Sequence, residues 1–302
     1  MPSSPATSPL RKLAYPGTML LAFGVVAALN QLTDLDILPS AYVAAILGAA
    51  LVTLLEFVIP YKIEWQPRWL DVKSDLAFMV VVQLLLPQAF ALAAVAFLAR
   101  AGDSLEVAAQ GVWPTNWPVA AQVILMLLSA ELLRYWMHFA AHHTSFLWRL
   151  HAVHHSPNKL YWLNVGRFHP VEKALQYLLD ALPFILLGVS ENVLAYYFVF
   201  YSINGFFQHS NVDARYGALN YIVSSAELHR WHHSKLADES NRNYGNNLIV
   251  WDLIFGSWFL PAGRRVGDLG LLNPAYPQDF LNQMLTPLKA GLDQPQAEAD
   301  DA

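Results

Sequence analysis

Long apolar stretches alternate with short polar ones along this chain. Several are long enough to cross a lipid bilayer, which takes about 20 residues at 1.5 Å rise each. Four fall in the first half. The first covers about 17–37, with Asn30, Asp34 and Asp36 at its far end, and the second covers 40–60, carrying Glu56 and stopping at Pro60. The third, 76–99, is uncharged, with Pro87 near its middle, which predicts a kink. The fourth covers 117–137, with Glu131 and Arg134 near its end. A further pair, 174–190 and 192–208, is divided by Glu191 and predicts short spans or a re-entrant hairpin. The run 247–260 is apolar but too short to span, which suits an interfacial or core-packing segment. Trp113, Trp117, Trp148, Trp162 and Trp258 lie near the predicted boundaries, where tryptophan anchors helices at the membrane surface.

The polar segments give direction. Residues 1–16 are rich in Ser and Pro and read as a disordered leader; a signal peptide is the rival, but further hydrophobic segments follow. Arg11 and Lys12 precede the first span, and Lys62, Arg68 and Lys73 follow the second. Arg149, Lys159, Arg167 and Lys173 follow the fourth, and Arg215, Arg230 and Lys235 follow the hairpin. Basic loops stay in the cytosol. The N-terminus, the 60–75 loop, 138–173 and the segment after the hairpin are therefore expected on that side. The expected fold is an all-α polytopic integral membrane protein: four transmembrane helices, a short membrane hairpin and a cytosolic helical cap. The host membrane would be a bacterial inner membrane or the endoplasmic reticulum. The end after about 290 is polar and acidic and reads as disordered.

Composition agrees. Of the 302 residues 55% are hydrophobic and 14% charged, against about a quarter charged in soluble domains. The net charge of −5, with no long basic run, gives no sign of nucleic acid binding. Cysteine is absent, which excludes disulfides, thiolate zinc sites and iron–sulfur clusters. Any metal must be held by nitrogen and oxygen.

The candidate chemistry lies in the histidines. All 11 fall between His138 and His233. Three pieces share a spacing: His138 and His142; His151, His154 and His155; and His229, His232 and His233. Residues three and four apart share a helix face, so each piece offers two or three imidazoles on one side. Neutral imidazole ligates iron, copper and zinc. A zinc site takes three or four ligands, so this many donors imply two ions, and iron is the borderline metal that does oxygen chemistry. His209 is a further candidate. His169, in Gly-Arg-Phe-His-Pro, is either a ligand or the cap of the following helix, and His143 lies off the stripe and reads as solvated. A zinc-protease helix needs Glu after the first His, where this chain has Ala152 and Arg230. A ferritin-like centre needs Glu three residues before His, which occurs nowhere here. Glu131 shares the stripe of His138 and His142 and would orient an imidazole, or else pair with Arg134 near the membrane surface.

The order His-x-x-x-His, His-x-x-His-His, a single His, then His-x-x-His-His resembles the fatty acid hydroxylase and sterol desaturase superfamily. The resemblance extends to Tyr135-Trp136, Leu147-Trp148-Arg149, Arg167-x-His169-Pro170, Gln208-His209-Ser210-Asn211, Asn243-Tyr244-Gly245 and Trp251-Asp252-x-x-Phe255-Gly256. It covers about 131–260; the N-terminal spans match only in being hydrophobic. Phe139, where many relatives have Arg, and Glu131, where Asp is frequent, depart from the pattern without touching the ligand set.

The resemblance implies a non-haem di-iron enzyme that uses O2 and two electrons to hydroxylate or desaturate a lipid, such as a fatty acyl chain or a sterol. It implies His138, His142, His151, His154, His155, His209, His229, His232 and His233 as iron ligands. It divides the chain into a leader (1–16), N-terminal transmembrane helices (17–137), a catalytic domain (131–260) and a C-terminal extension (261–302). No electron-carrier domain is visible, so an external donor such as cytochrome b5 or a ferredoxin is expected. A histidine-rich membrane metal or haem transporter or sensor is the competing reading, and it expects its ligands at mid-membrane depth.

Overall fold

The computed structural model describes residues 8–101, 111–289 and 291–293; within them the ordered elements are helices, with isolated bridges and no strand ladder. Helices α1 (Pro9–Leu32) and α2 (Ile37–Val58) form an antiparallel pair. Helix α3 (Trp69–Phe78) runs through a π-helical stretch, Met79–Leu85, into α4 (Leu86–Ala101), and α5 covers Val119–His143. These give four helices long and apolar enough to cross a membrane. Their outer faces carry exposed Leu20, Leu21, Ile46, Leu54, Phe57 and Leu92, as lipid-facing helices must, since no water is there to favour polar side chains. The irregularity expected at Pro87 is a π stretch that ends two residues before it, at Leu85. Leu86 N–H reaches back to the Val81 carbonyl, and Pro87 has no N–H to continue the pattern.

Two expectations need correction. Helix α1 begins at Pro9, so residues 9–16 of the expected leader are helical; proline at the first helical position pre-sets the backbone, and Arg11 pairs with Asp213 at 2.9 Å. The rest of the expected leader, 1–7, and the expected polar end, 294–302, lie outside the described residues. The first limb of the expected hairpin is two pieces, α7 (Pro170–Asp180) and α8 (Leu182–Leu186), broken at Ala181. Helix α7 is amphipathic, burying Glu172, Lys173, Gln176, Tyr177 and Asp180 against the protein. The second limb is one helix, α9 (Glu191–His209).

Helix α9 is the axis of the molecule, packed against α1, α2, α5 and the short α10 (Ala226–His232). Ala22, Val26, Ala41, Ala44 and Val52 meet Val199, Ile203 and Phe207 in the largest core. Gly48 lets α2 and α9 touch: a Cβ there would lie 2.1 Å from Ile203 Cδ1.

Acidic side chains at the ends of the long helices tie them to the loops of the cap. Glu56 of α2 accepts from the Trp162 and Asn211 backbone N–H groups at 2.7 and 2.9 Å. Asp75 of α3 takes Arg167 and the Tyr161 hydroxyl. Glu131 of α5 accepts from the Asn246 and Asn247 backbone. Residues 261–293 also wrap the cap, with Phe280 against Phe78 at 4.8 Å and Gln283 Nε2 donating to Ser156 Oγ at 2.8 Å. The run 247–260 forms α12 (Val250–Phe255, following the short α11, Ala237–Ser240), which buries Asp252 and packs on α5. Trp113 is not an interfacial anchor: it is buried, with Nε1 donating to Gln122 Oε1 at 2.7 Å.

Candidate metal centre

Four segments bring nine histidines together. His138 and His142 lie on the last turns of α5, and His151, His154 and His155 end the following helix, α6 (Ser145–His155). His209 is the last residue of α9, His229 and His232 lie on α10, and His233 follows it. Helix α10 is short and is started by Ser225, whose Oγ accepts the Leu228 N–H at 3.2 Å.

The rings form two groups, and in each the facing nitrogens lie within 4.8 Å of one another. One group holds His138, His142, His151, His155 and His232; the other holds His154, His209, His229 and His233. The i, i+3, i+4 spacing therefore does more than place rings on one side. In α6 the pair His151 and His155 serves one group and His154 the other. Around α10, His229 and His233 serve one and His232 the other. The groups abut, with the His155 and His233 rings stacked at 4.5 Å.

Outer hydrogen bonds aim six of these rings. Backbone carbonyls of Tyr244, Arg167 and Arg242 accept from Nδ1 of His138, His154 and His232 at 2.7, 3.2 and 2.8 Å. Glu172 Oε1 faces His151 Nδ1 at 2.8 Å, and Asn241 Oδ1 faces His142 Nδ1 at 3.0 Å. Asn164 Oδ1 faces His209 Nδ1 at 2.8 Å, its orientation set because Nδ2 donates to the Lys159 carbonyl. A carbonyl can only accept, so the proton sits on Nδ1 and the inward Nε2 presents a lone pair.

In two pairs that sets lone pair against lone pair, which hydrogen bonding cannot explain. His154 Nε2 and His209 Nε2 are 3.4 Å apart, and His138 Nε2 and His151 Nε2 2.9 Å apart, each with its proton committed to the far side of the ring. Two further pairs are as close, His155 and His232 at 3.1 Å and His229 and His209 at 3.0 Å. His142 Nε2 is buried with no partner among the described residues. Protonation does not resolve the repulsion. Burial is the main reason His154 is brought down to about 3 and His232 to about 4, and with neighbouring rings it holds His151, His155, His229 and His233 well below 6.5. Separations of 2.9–3.4 Å are those of adjacent donors on one ion with metal–nitrogen bonds of about 2.0–2.1 Å. The donor set fits a divalent metal in each group.

The remaining candidates fall elsewhere. His169 is in neither group: its Nδ1 accepts the Val171 N–H at 3.2 Å, capping α7, and Nε2 donates to the Met284 carbonyl at 3.3 Å. The capping alternative is the one adopted, because Pro170 fixes the helix start and leaves that ring as the cap. His143 is exposed and stacks on Phe139 at 4.0 Å. Glu131 touches no imidazole. Its carboxylate holds the 246–247 backbone, two residues beyond the Tyr244 carbonyl that aims His138, so it acts on the ring only through that loop. Gly245 belongs to the same turn, where a Cβ would lie 2.2 Å from the Leu248 carbonyl oxygen. The group on an imidazole is instead Glu172, which in sequence looks like an ordinary acidic residue in the first turn of a helix. Trp148, expected at the membrane surface, packs against His142 and His155 at 5.3 and 5.4 Å.

The centre borders a cavity of about 540 Å³. His138, His151, His154, His209 and His229 face it from below. Leu38, Tyr42 and Ile46 of α2 and Leu84 and Pro87 of the third span form its apolar walls.

Residues 123–257 match the fatty acid hydroxylase family model. The ornithine lipid hydroxylase OlsE of Rhizobium tropici is 36% identical over 249 residues, covering 79% of this chain and 72% of that protein. Alkylglycerol monooxygenase of Danio rerio is 30% identical over 158 residues, 52% of this chain and 34% of that one. A probable Delta(7)-sterol 5(6)-desaturase of Neurospora crassa is 29% identical over 156 residues, 50% and 42% of the two chains. No solved structure matches this chain. Hydroxylases, monooxygenases and desaturases are all oxidoreductases. The similarity to the first of these relatives runs through most of both chains, and the family match spans the whole histidine constellation, so this protein belongs to the fatty acid hydroxylase family.

Proposed function

We propose that the two histidine groups hold a pair of iron ions and that the protein is a membrane-bound oxygenase that hydroxylates, or desaturates, a lipid C–H bond with O2 and two electrons. His138, His142, His151, His155 and His232 would hold one ion, and His154, His209, His229 and His233 the other. The observation that carries the reading is the facing of Nε2 lone pairs in two buried groups beneath an apolar cavity. The iron pair, when bound, supplies the oxygen activation and C–H oxidation that no side chain can perform.

The chain's own residues do the rest. Burial keeps the imidazoles neutral, and Tyr244, Arg167, Arg242, Glu172, Asn241 and Asn164 aim six of them inward, so the donors are arranged before metal arrives. The cavity walls take the hydrocarbon part of the substrate and exclude water from the reacting carbon. Exposed apolar Ile46 and Leu84 stand at a mouth between α2 and the third span, through which a lipid would enter from the bilayer. The basic loops support a cytosolic histidine face, where a separate electron donor would reach it. The relatives act, by name, on ornithine lipid, alkylglycerol and sterol, so the substrate is sought among amphipathic lipids.

The test has two parts. Purified protein should hold close to two irons per chain, and lipid mass spectrometry of cells with and without the gene should find a species gaining one oxygen or losing two hydrogens. One zinc per chain, or an unchanged lipid profile from iron-loaded protein supplied with electrons, would refute the proposal. A metal transporter would bind metal and leave every lipid unaltered.

A further inference from the structure

Beyond the histidines, the charged side chains that line the cavity gather on one wall, where α7 faces α9 and α5. Arg134, Lys173, Tyr177, Asp180 and Tyr201 line it there. Arg134 has its counter-charge: its guanidinium is 3.0 Å from Asp180 Oδ2 and 3.1 Å from Asn246 Oδ1, with only Nε left without a partner. Lys173 does not. It is only 6% exposed, and its one hydrogen bond among the described residues is a 3.3 Å contact with the Tyr201 hydroxyl, whose ring lies 5.4 Å away. No acid of the described residues lies within ion-pair distance of the ammonium: Glu172 turns Oε1 to His151 and Gln176 and leaves Oε2 without a partner, and Asp180 is held by Arg134. The Tyr177 hydroxyl, on the same wall, is buried without a partner.

An ammonium has three N–H donors, and burying one without a counter-charge is costly. A charge kept in that condition on the wall of a cavity is matched by an anion that enters the cavity. The aliphatic walls demand a hydrocarbon tail, and this wall demands a charged head. Resting on the lipid-oxygenase reading above, we propose that Lys173, with the Tyr177 and Tyr201 hydroxyls, binds an anionic oxygen group of the substrate, a carboxylate or a phosphate. Arg134 precedes His138 by four residues and Tyr201 precedes His209 by eight. At 1.5 Å per residue the polar wall sits about 6–12 Å from the histidines along the helices. The acid group is therefore drawn inside the protein, the attacked carbon lies toward the head of the lipid, and the tail extends toward the mouth at Ile46.

The probes are three twelve-carbon amphiphiles, dodecanoate, dodecyl phosphate and dodecanol, bound to iron-loaded full-length protein in a neutral detergent without electron supply. At least one of the two anions should bind about tenfold tighter than the alcohol. Lys173→Gln should erase that preference and leave dodecanol binding and iron content unchanged, while Lys173→Arg should keep most of it. A preference for dodecanoate alone, phosphate alone or both identifies the head group. Equal binding of all three, or a preference that survives Lys173→Gln, overturns the proposal. Because binding is read without turnover, it stands or falls apart from the oxygenase reading, which fails only if iron-loaded, reduced protein oxidises no lipid.

Discussion

An imidazole is useful to a metal only if its second nitrogen is occupied elsewhere. Three of the nine rings are aimed by backbone carbonyls, which leave no trace in a sequence because any residue supplies one. The ring spacing was readable along the chain; the partners were not. Glu172 illustrates this: only the return of α7 beneath α6 sets it 2.8 Å from His151. Glu172→Ala should lower iron affinity or activity about 10–100-fold with the protein still inserted, measured by iron content and turnover. His232→Ala should abolish turnover and leave insertion unchanged. Asp252 offers a test of pH dependence. Its carboxylate accepts from the Tyr244 and Gly245 backbone and from Ser257, yet burial pushes it from 3.8 up to about 6. A folded-state value above the unfolded one means the stabilising contribution is full below about pH 4 and lost as pH rises to 6. Relative to Asp252→Asn, which does not titrate, the wild type should lose on the order of 3 kcal/mol across that interval in denaturant titrations.

Charged residues inside apolar helices look like defects at the scale of an element, and each has a loop to hold. Glu56, Asp75 and Glu131 sit on three different spans: Glu56 and Asp75 both fasten the 161–167 segment, Glu56 also holds Asn211, and Glu131 holds 246–247. Glu131→Ala would strand two backbone N–H groups, at about 1–3 kcal/mol each. It should lower thermal stability and disturb iron binding less than Glu172→Ala does. Hydropathy located the spans well, because lipid contact selects for apolar side chains regardless of what the helix touches inside. It failed for 174–190, where Leu182, Pro183 and Phe184 raise the average but the inward face of α7 is polar. Close contact between helices escapes hydropathy too. Gly48→Ala should destabilise the protein by about 1–3 kcal/mol through Ile203, and Ile203→Val, which removes the Cδ1 in the way, should restore much of it.

For the whole molecule, the apolar helices wall a chamber that the histidine groups border. Filling that chamber should stop turnover and spare the metal: Ala49→Trp is expected to abolish lipid oxidation with iron content intact. The chain has no cysteine, so single cysteines report topology cleanly. Asp238→Cys should label with an impermeant maleimide only from the cytosolic side, and Leu35→Cys, between α1 and α2, only from the other. Sequence alone determined the membrane character, the helical class, the family and the ring spacing, because each of these is written in local periodicity and residue type. Which ring falls in which group, the contact of Glu172 rather than Glu131 with an imidazole, the cap at His169 and the lack of an ion-pair partner for Lys173 were decided only by tertiary structure. They depend on segments far apart in the chain meeting across α9, and no local pattern encodes the partner of a buried polar atom.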